Sequence, residues 1–443
     1  MNAVRKRLLI GAIALGGLAM PTHLAAQTLV PSATVTAGGA YSTNPFLGRG
    51  DGDGSASVQV SVTPRLEIID DTDSGVISAF YNRTEYLSNY DANDGYGVNI
   101  SANSALNSRT TIGFSAGYDS QILGAGGAFT SVPVIVPGNF GPIGTGGGDV
   151  GTGGTGTIGT GTIGTGTGSI GVVPAPTAPI IDDLGDLGGD IGLIGLRQRR
   201  NSLNAGVFGT YRPDEVSTWG FGGNVSRNSY PDNAGRAISS RTYGVSTSYS
   251  RSLSERSSAG LQVSATVVDY ATVPNSRFIN PQLTYSTLLA ERWSLNLAVG
   301  VSLVDDGFSN GVALSANGSL CRSSERGNLC VLVARQPSVS AFGGARNQTS
   351  ISANYSYRLA ERTSLSATAS YQRSSNGIAM SPTAFARSNQ DYISASATVN
   401  QQIARRLSAY ASALYRDVKG LGVPTDADIG GRVGLALTVG GRP

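Results

Sequence analysis

"YSYRLAERTSLSATASY", residues 355–371, carries an apolar and a polar series side by side. Leading into it, Ile351, Ala353, Tyr355, Tyr357 and Leu359 share one parity; Ser352, Asn354, Ser356 and Arg358 share the other. Past its centre, Leu365, Ala367, Ala369 and Tyr371 alternate with Ser364, Ser366, Thr368 and Ser370. Side chains of a strand point to opposite faces in turn, so each arm has one apolar and one polar face. Leu359-Ala360-Glu361-Arg362 between the arms reads as a short polar turn, and the whole as a β-hairpin.

The phrase returns at Leu253-Ser254-Glu255-Arg256 and Leu289-Ala290-Glu291-Arg292, and more faintly at Ile403-Ala404-Arg405-Arg406. Counting Glu215 in "YRPDEVSTW" and Glu325, the turns Glu215, Glu255, Glu291, Glu325, Glu361 and Arg405 follow at intervals of 40, 36, 34, 36 and 44 residues. A period near 35 fits two strands of ~9–11 residues, a short turn and a longer loop. The longer polar segments lie between the turns: "YPDNAGRAIS", "ATVPNSRFIN", "FGGARNQ" and "SSNGIAMSPTAFARSNQ". Upstream, "SATVTAGGAYS", "SASVQVSVTPRLEII", "GVISAFYNRTEYL", "YGVNISANSALN" and "TTIGFSAGYDS" read as five more strands, with "DDTDSG" and "NSR" as short turns.

Short turns alternating with long loops between two-faced strands predict an all-β, transmembrane antiparallel β-barrel of 16 to 18 strands. In hydrocarbon every backbone donor and acceptor needs an internal partner, so strands span only as a closed sheet, apolar outside. The short turns then face the periplasm. Trp219 and Trp293, just after two of them, are expected at a membrane interface, where an amphipathic aromatic is favoured.

Residues 1–26 read as a secretory signal: Arg5, Lys6 and Arg7, then an apolar stretch, then Ala25-Ala26. The barrel is assigned to 27–443, in the outer membrane of a Gram-negative cell. Removing the signal removes His23, the one histidine, and leaves 29 basic against 29 acidic residues. No net positive charge argues for nucleic acid. Ser–His, Cys–His and metal–His schemes all fail without histidine, and no carboxylate pair can be placed across a cleft. The expectation is passive transport, with no catalytic residue, cofactor or metal. Inward arginines such as Arg358 would favour anions in a channel.

About 80 residues, 120–200, interrupt the strands. "GTGTIGTGTIGTGTGSIG", "VVPAPTAP" and "IIDDLGDLGGDIGLIG" give one long Gly/Thr-rich outer loop of low complexity, which either narrows the lumen or projects from the cell. Asp182, Asp183, Asp186 and Asp190 match no calcium-loop spacing, and read as a solvated acidic loop. Arg49-Gly50-Asp51 matches an adhesion tripeptide too short to carry weight.

Cys321 and Cys330 flank the turn "RSSERGNL". Leu314, Ala316, Gly318 and Leu320 take the outward parity, as do Leu329, Val331 and Val333, so both cysteines face inward across one hairpin. In an oxidising compartment this predicts a disulfide.

"VTAGGAYSTNPFLGRGDGDGSASVQVSVTPRLEI" resembles the opening of the outer-membrane β-barrel porins of the second type, in its strand, its Tyr41, Asn44 and Phe46 phrase, and its second amphipathic strand. The hairpins extend that resemblance over most of residues 30–443. It implies a porin-like channel, often found alongside surface-polysaccharide export, and carries over no catalytic residue. The implied partners are outer-membrane lipid, the barrel assembly machinery, and polysaccharide or small polar solutes. Such barrels commonly end on an aromatic residue; here Val433, Leu435, Leu437 and Val439 form the closing pattern and Pro443 is last. The competing reading is a non-conducting structural or adhesive barrel displaying the Gly-rich loop. A soluble β-repeat protein fails to explain the alternation of connection lengths.

Overall fold

The computed structural model describes residues 28–48, 53–70, 72–123, 191–231, 237–307, 310–375, 389–420 and 425–441. Eighteen strands follow in order. The first six are β1 (Thr28–Ser42), β2 (Ser55–Ile69), β3 (Asp73–Tyr86), β4 (Asn93–Asn107), β5 (Thr110–Ile122) and β6 (Arg199–Tyr211). Next come β7 (Ser217–Ser229), β8 (Ser240–Ser254), β9 (Ser257–Tyr270), β10 (Ser276–Ala290), β11 (Trp293–Asp305) and β12 (Asn310–Ser323). The last are β13 (Gly327–Val339), β14 (Ala345–Ala360), β15 (Thr363–Ser375), β16 (Gln390–Ala404), β17 (Leu407–Lys419) and β18 (Asp428–Gly440). Each pairs antiparallel with its sequence neighbours, and β18 returns to β1 from Ser32↔Gly440 to Ser42↔Gly430. The sheet is closed and has no edge.

All six periodic turns fall between paired strands, and β2 has the bounds its pattern predicts. The outward parity is apolar: Val58, Val60 and Val62 on β2, Leu297, Val299 and Val301 on β11, and Val433, Leu435 and Leu437 on β18 are exposed on the barrel wall. Gln59, Ser61, Gln282, Ser315, Gln372 and Thr398 take the inward parity and are buried. Glycines open room for large neighbours in this wall: a Cβ at Gly209 would sit in the ring of Phe221, its cross-strand partner.

The strands run to 13–16 residues, longer than the 9–11 expected. The excess lies at the long-loop end, where outward positions turn charged: Arg83, Asp94, Arg227, Arg241, Arg277, Asp305, Arg373 and Asp391. The sheet outlasts the apolar belt there and continues into a polar zone.

The recurring turn phrase has a backbone task. The carbonyl of each short turn's last residue accepts the amide of a residue at the end of the next hairpin's first strand. The pairs are Thr72–Ala105, Arg109–Arg212, Val216–Ser252, Arg256–Leu288, Arg292–Ser323, Arg326–Arg358, Arg362–Gln402 and Arg406–Thr438, at 2.7 to 3.0 Å. Eight turns are thus clasped in sequence around one rim. Cys321 and Cys330 are directly opposed on β12 and β13 and are joined by a disulfide, with Cα atoms 4.1 Å apart.

Candidate functional site: the mouth and lumen of the barrel

At the long-loop end, three connections turn inward among the described residues. The first, 43–48, is held by Asp428, fully buried on β18. Its Oδ1 accepts from the Ser42 hydroxyl and from the Asn44 amide (3.0 Å); its Oδ2 accepts from Arg416 of β17 at 2.6 and 3.1 Å. Arg416 also donates to the Pro45 carbonyl at 3.0 Å, and Asn44 Nδ2 to that of Asp426 at 2.9 Å. Asn44 and Phe46 of the resemblance phrase are therefore latch residues, each 1 % exposed. Phe46 packs against Tyr86 and Tyr90, with the Arg197 guanidinium 4.4 Å over its ring. Burial, with the Asp53 carboxylate adding to it, pushes the Tyr90 phenol above its ordinary value.

The second is the returning end of the long insert. The connection runs from 123 to 198, and its described part begins with a 3-10 turn, Ile191–Leu193. Ile191 and Ile194 pack with Leu47, Tyr392 of β16 and Val418 of β17. Leu193 packs the other way, with Leu123, Tyr230, Ala237 and Phe342. A single turn of chain thereby joins the β16–β17 wall to the connections after β7 and β13. The Gly/Thr repeat and the four aspartates lie outside the described residues, as do Arg49-Gly50-Asp51 and the signal segment.

The third is 340–344 between β13 and β14. Pairing of β13 with β12 stops at Arg335↔Ala316, and beyond it the hairpin leans inward. Ala345 and Val339 pack against Val268, Phe278 and Val304, inward residues of β9, β10 and β11. The Tyr270 hydroxyl lies 3.1 and 3.2 Å from the carbonyls of Ser340 and Gly344. Gly343 sits at φ +88° with Val273 where a Cβ would go, so only glycine fits.

Below these connections the wall is polar. By strand parity, six arginines among the described strand residues point inward: Arg65, Arg200, Arg346, Arg358, Arg416 and Arg432. Among the described strand residues the inward carboxylates are three, Glu67, Asp119 and Asp428, each facing an arginine: Arg65 at 2.8 Å, Arg200 at 3.7 Å and Arg416 at 2.6 Å; Asp306, just past β11, is buried beside the third connection. Arg346 donates to Gln390 Oε1 at 2.9 Å. Arg358, singled out from the sequence, takes the inward parity at the short-turn end; the other five were not singled out. Trp219 faces outward near that end, its ring 4.9 Å from Tyr249, and Trp293 lies under the Arg322 guanidinium at 5.6 Å.

A closed antiparallel sheet with an apolar outer belt and a polar inner face is a membrane-spanning barrel of the outer-membrane, porin-like kind. No protein-family model matches the chain, and no curated protein matches it in sequence. Solved structures similar to it include Pseudomonas aeruginosa OprD, at 12 % identity over 93 % of this chain and 95 % of that one, with a TM-score of 0.40. The outer membrane protein OpdK of the same organism follows at 11 % identity, over 93 % and 98 %, with a TM-score of 0.42. OccK2 (OpdF), solved in complex with glucuronate, shows 10 % identity over 93 % and 98 %, with a TM-score of 0.45. Superpositions this loose carry nothing about cargo.

Proposed function

We propose that the chain is a passive outer-membrane channel for small polar solutes, with a preference for anions. The observation that carries this is the inward face: polar along the strands, and holding six arginines against three carboxylates among the described strand residues. Guanidinium groups thus outnumber carboxylates on these inward strand positions. Charged side chains lining a narrow aqueous path select by sign, because the low-dielectric wall focuses their field. Trp219 and Trp293 serve as interface anchors on the outside. The inward connections narrow the mouth, which suits small solutes. Export of surface polysaccharide rests on the resemblance, and no contact in the barrel favours it.

The test is single-channel recording in a planar bilayer under a salt gradient. The proposal expects discrete open steps and a reversal potential on the anion side. A silent bilayer with folding confirmed would instead favour the structural or adhesive barrel.

A further inference from the structure

The phrase that recurs in the sequence also has a side-chain pattern that the backbone clasp leaves unexplained. Register shifts of one residue occur just before five of the eight short turns: between Ala105 and Asn107, Ser252 and Ser254, Leu288 and Ala290, Arg358 and Ala360, and Gln402 and Ala404. The extra residue in each is apolar: Leu106, Leu253, Leu289, Leu359 and Ile403. A bulge leaves this residue without a cross-strand partner and bends the strand at the rim. All five take the outward parity and are 50 to 63 % exposed. Three positions on, in all five, stands an exposed arginine: Arg109, Arg256, Arg292, Arg362 and Arg406. The remaining turns, at 70–72, 212–216 and 324–326, have neither the bulge nor the apolar residue three before an arginine.

We propose that these five bulged turns seat phospholipid headgroups of the inner leaflet. The apolar side chain meets the acyl chain at the end of the belt. The guanidinium three residues on donates to the phosphate, which it can grip with two parallel hydrogen bonds. The occupant follows from distribution. The turns after β4, β8, β10, β14 and β16 are spread around the whole circumference, and lipid is the partner that surrounds a barrel on every side. On β14 the seat continues the apolar series Tyr355, Tyr357 and Leu359 directly; on the other four strands one residue, Ser104, Arg251, Thr287 or Gln401, lies between the belt and the seat. Arg109 and Arg292 are partly engaged, with the Pro213 carbonyl at 3.1 Å and Glu325 at 3.8 Å. Among the described residues, the guanidiniums of Arg256, Arg362 and Arg406 make no such contact, so they are the ones to change.

The inference rests on the membrane-spanning reading, and the experiment separates the two. The mature protein is refolded into vesicles of phosphatidylglycerol, or of a galactosyl diacylglycerol with the same acyl chains, then analysed by native mass spectrometry. Insertion is checked by a heat-dependent gel shift; failure to insert would sink both. The inserted wild type should retain phosphatidylglycerol and shed galactolipid. R256Q/R362Q/R406Q keeps the backbone clasp, so it should fold and retain about three fewer phospholipids. The R256K/R362K/R406K variant should recover part of that loss, because the positive charge remains. Equal retention by wild type and the glutamine variant, or of both lipids by the wild type, would overturn the proposal.

Discussion

Replacing Asp428 by alanine should release the first connection from the barrel mouth. The carboxylate is fully buried, accepts from Ser42 and Asn44, and faces an Arg416 side chain that is 3 % exposed. Removing it leaves a guanidinium buried without its carboxylate, at about 3–5 kcal/mol. It also strips the Asn44 amide of its acceptor, at about 1–3 kcal/mol. The eighteen-strand sheet does not depend on residues 43–48, so the loss falls on the local equilibrium of the latch. The sharper test adds the R416L/D428L double variant. Replacing both members of a buried ion pair by apolar residues is often neutral, so the double should retain more latch stability than D428A. The assay is proteolysis at the mouth, with the cleavage rate read as the open population. D428A should be cut fastest, the double at an intermediate rate, and wild type slowest. A double variant cut as fast as or faster than D428A would refute the account of Asp428 as counter-charge.

Three further outcomes are expected. Asparagine at Ile191, Leu193 and Ile194 together should unseat the segment that crosses the mouth and enlarge the single-channel step; an unchanged step in a folded variant would count against its inward packing. Glutamine at Arg346, Arg358 and Arg432 should move the reversal potential towards zero, since each change removes a positive charge from the inward face; an unmoved potential would place selectivity elsewhere. Reducing the Cys321–Cys330 disulfide should lower unfolding stability by about 2–3 kcal/mol in the chain-entropy model for so short a loop. Guanidinium unfolding with and without reductant measures it, with C321S/C330S as the control that reductant should leave unaffected.

The barrel was legible because lipid imposes a rule on every second residue. One slip of register would turn Val433, Leu435 and Leu437 into the lumen, so the pattern holds along each strand and marks the turns at Glu255, Glu291 and Glu361. The mouth was less legible for physical reasons. Asp428 and Arg416 meet across a connection, and nothing in "YRDVKGLGVPTDADI" announces a buried pair. "FGGARNQ" reads as a polar loop, although Phe342 is buried and Gly343 seats against Val273. The bulged residues were hidden by the parity rule itself. Leu359 extends an outward series and looks like one more lipid-facing side chain, and only pairing shows that it faces no partner.

A signal for the seats of the inward connections was nevertheless present, in the places where alternation fails. A water-filled lumen gives no reason for apolar side chains on the inward parity. Yet Val268 follows Val267, Val304 follows Leu303, and Val418 and Tyr392 stand on inward positions near the outer ends of their strands. Each is buried, and each touches an inward connection: Val268 and Val304 under the connection after β13, Tyr392 and Val418 under Ile191 and Ile194. Burying an aliphatic side chain stabilises by about 1.5–3 kcal/mol, enough for a few such contacts to hold a short connection against the entropy of letting it go. Buried apolar residues on the inward parity also occur away from the mouth, as at Val76, Tyr410 and Leu414, so a break in the two-residue period is not enough by itself. The breaks that meet a connection lie at the long-loop end of β9, β10, β11, β16 and β17, and there they seat the chain that narrows the mouth.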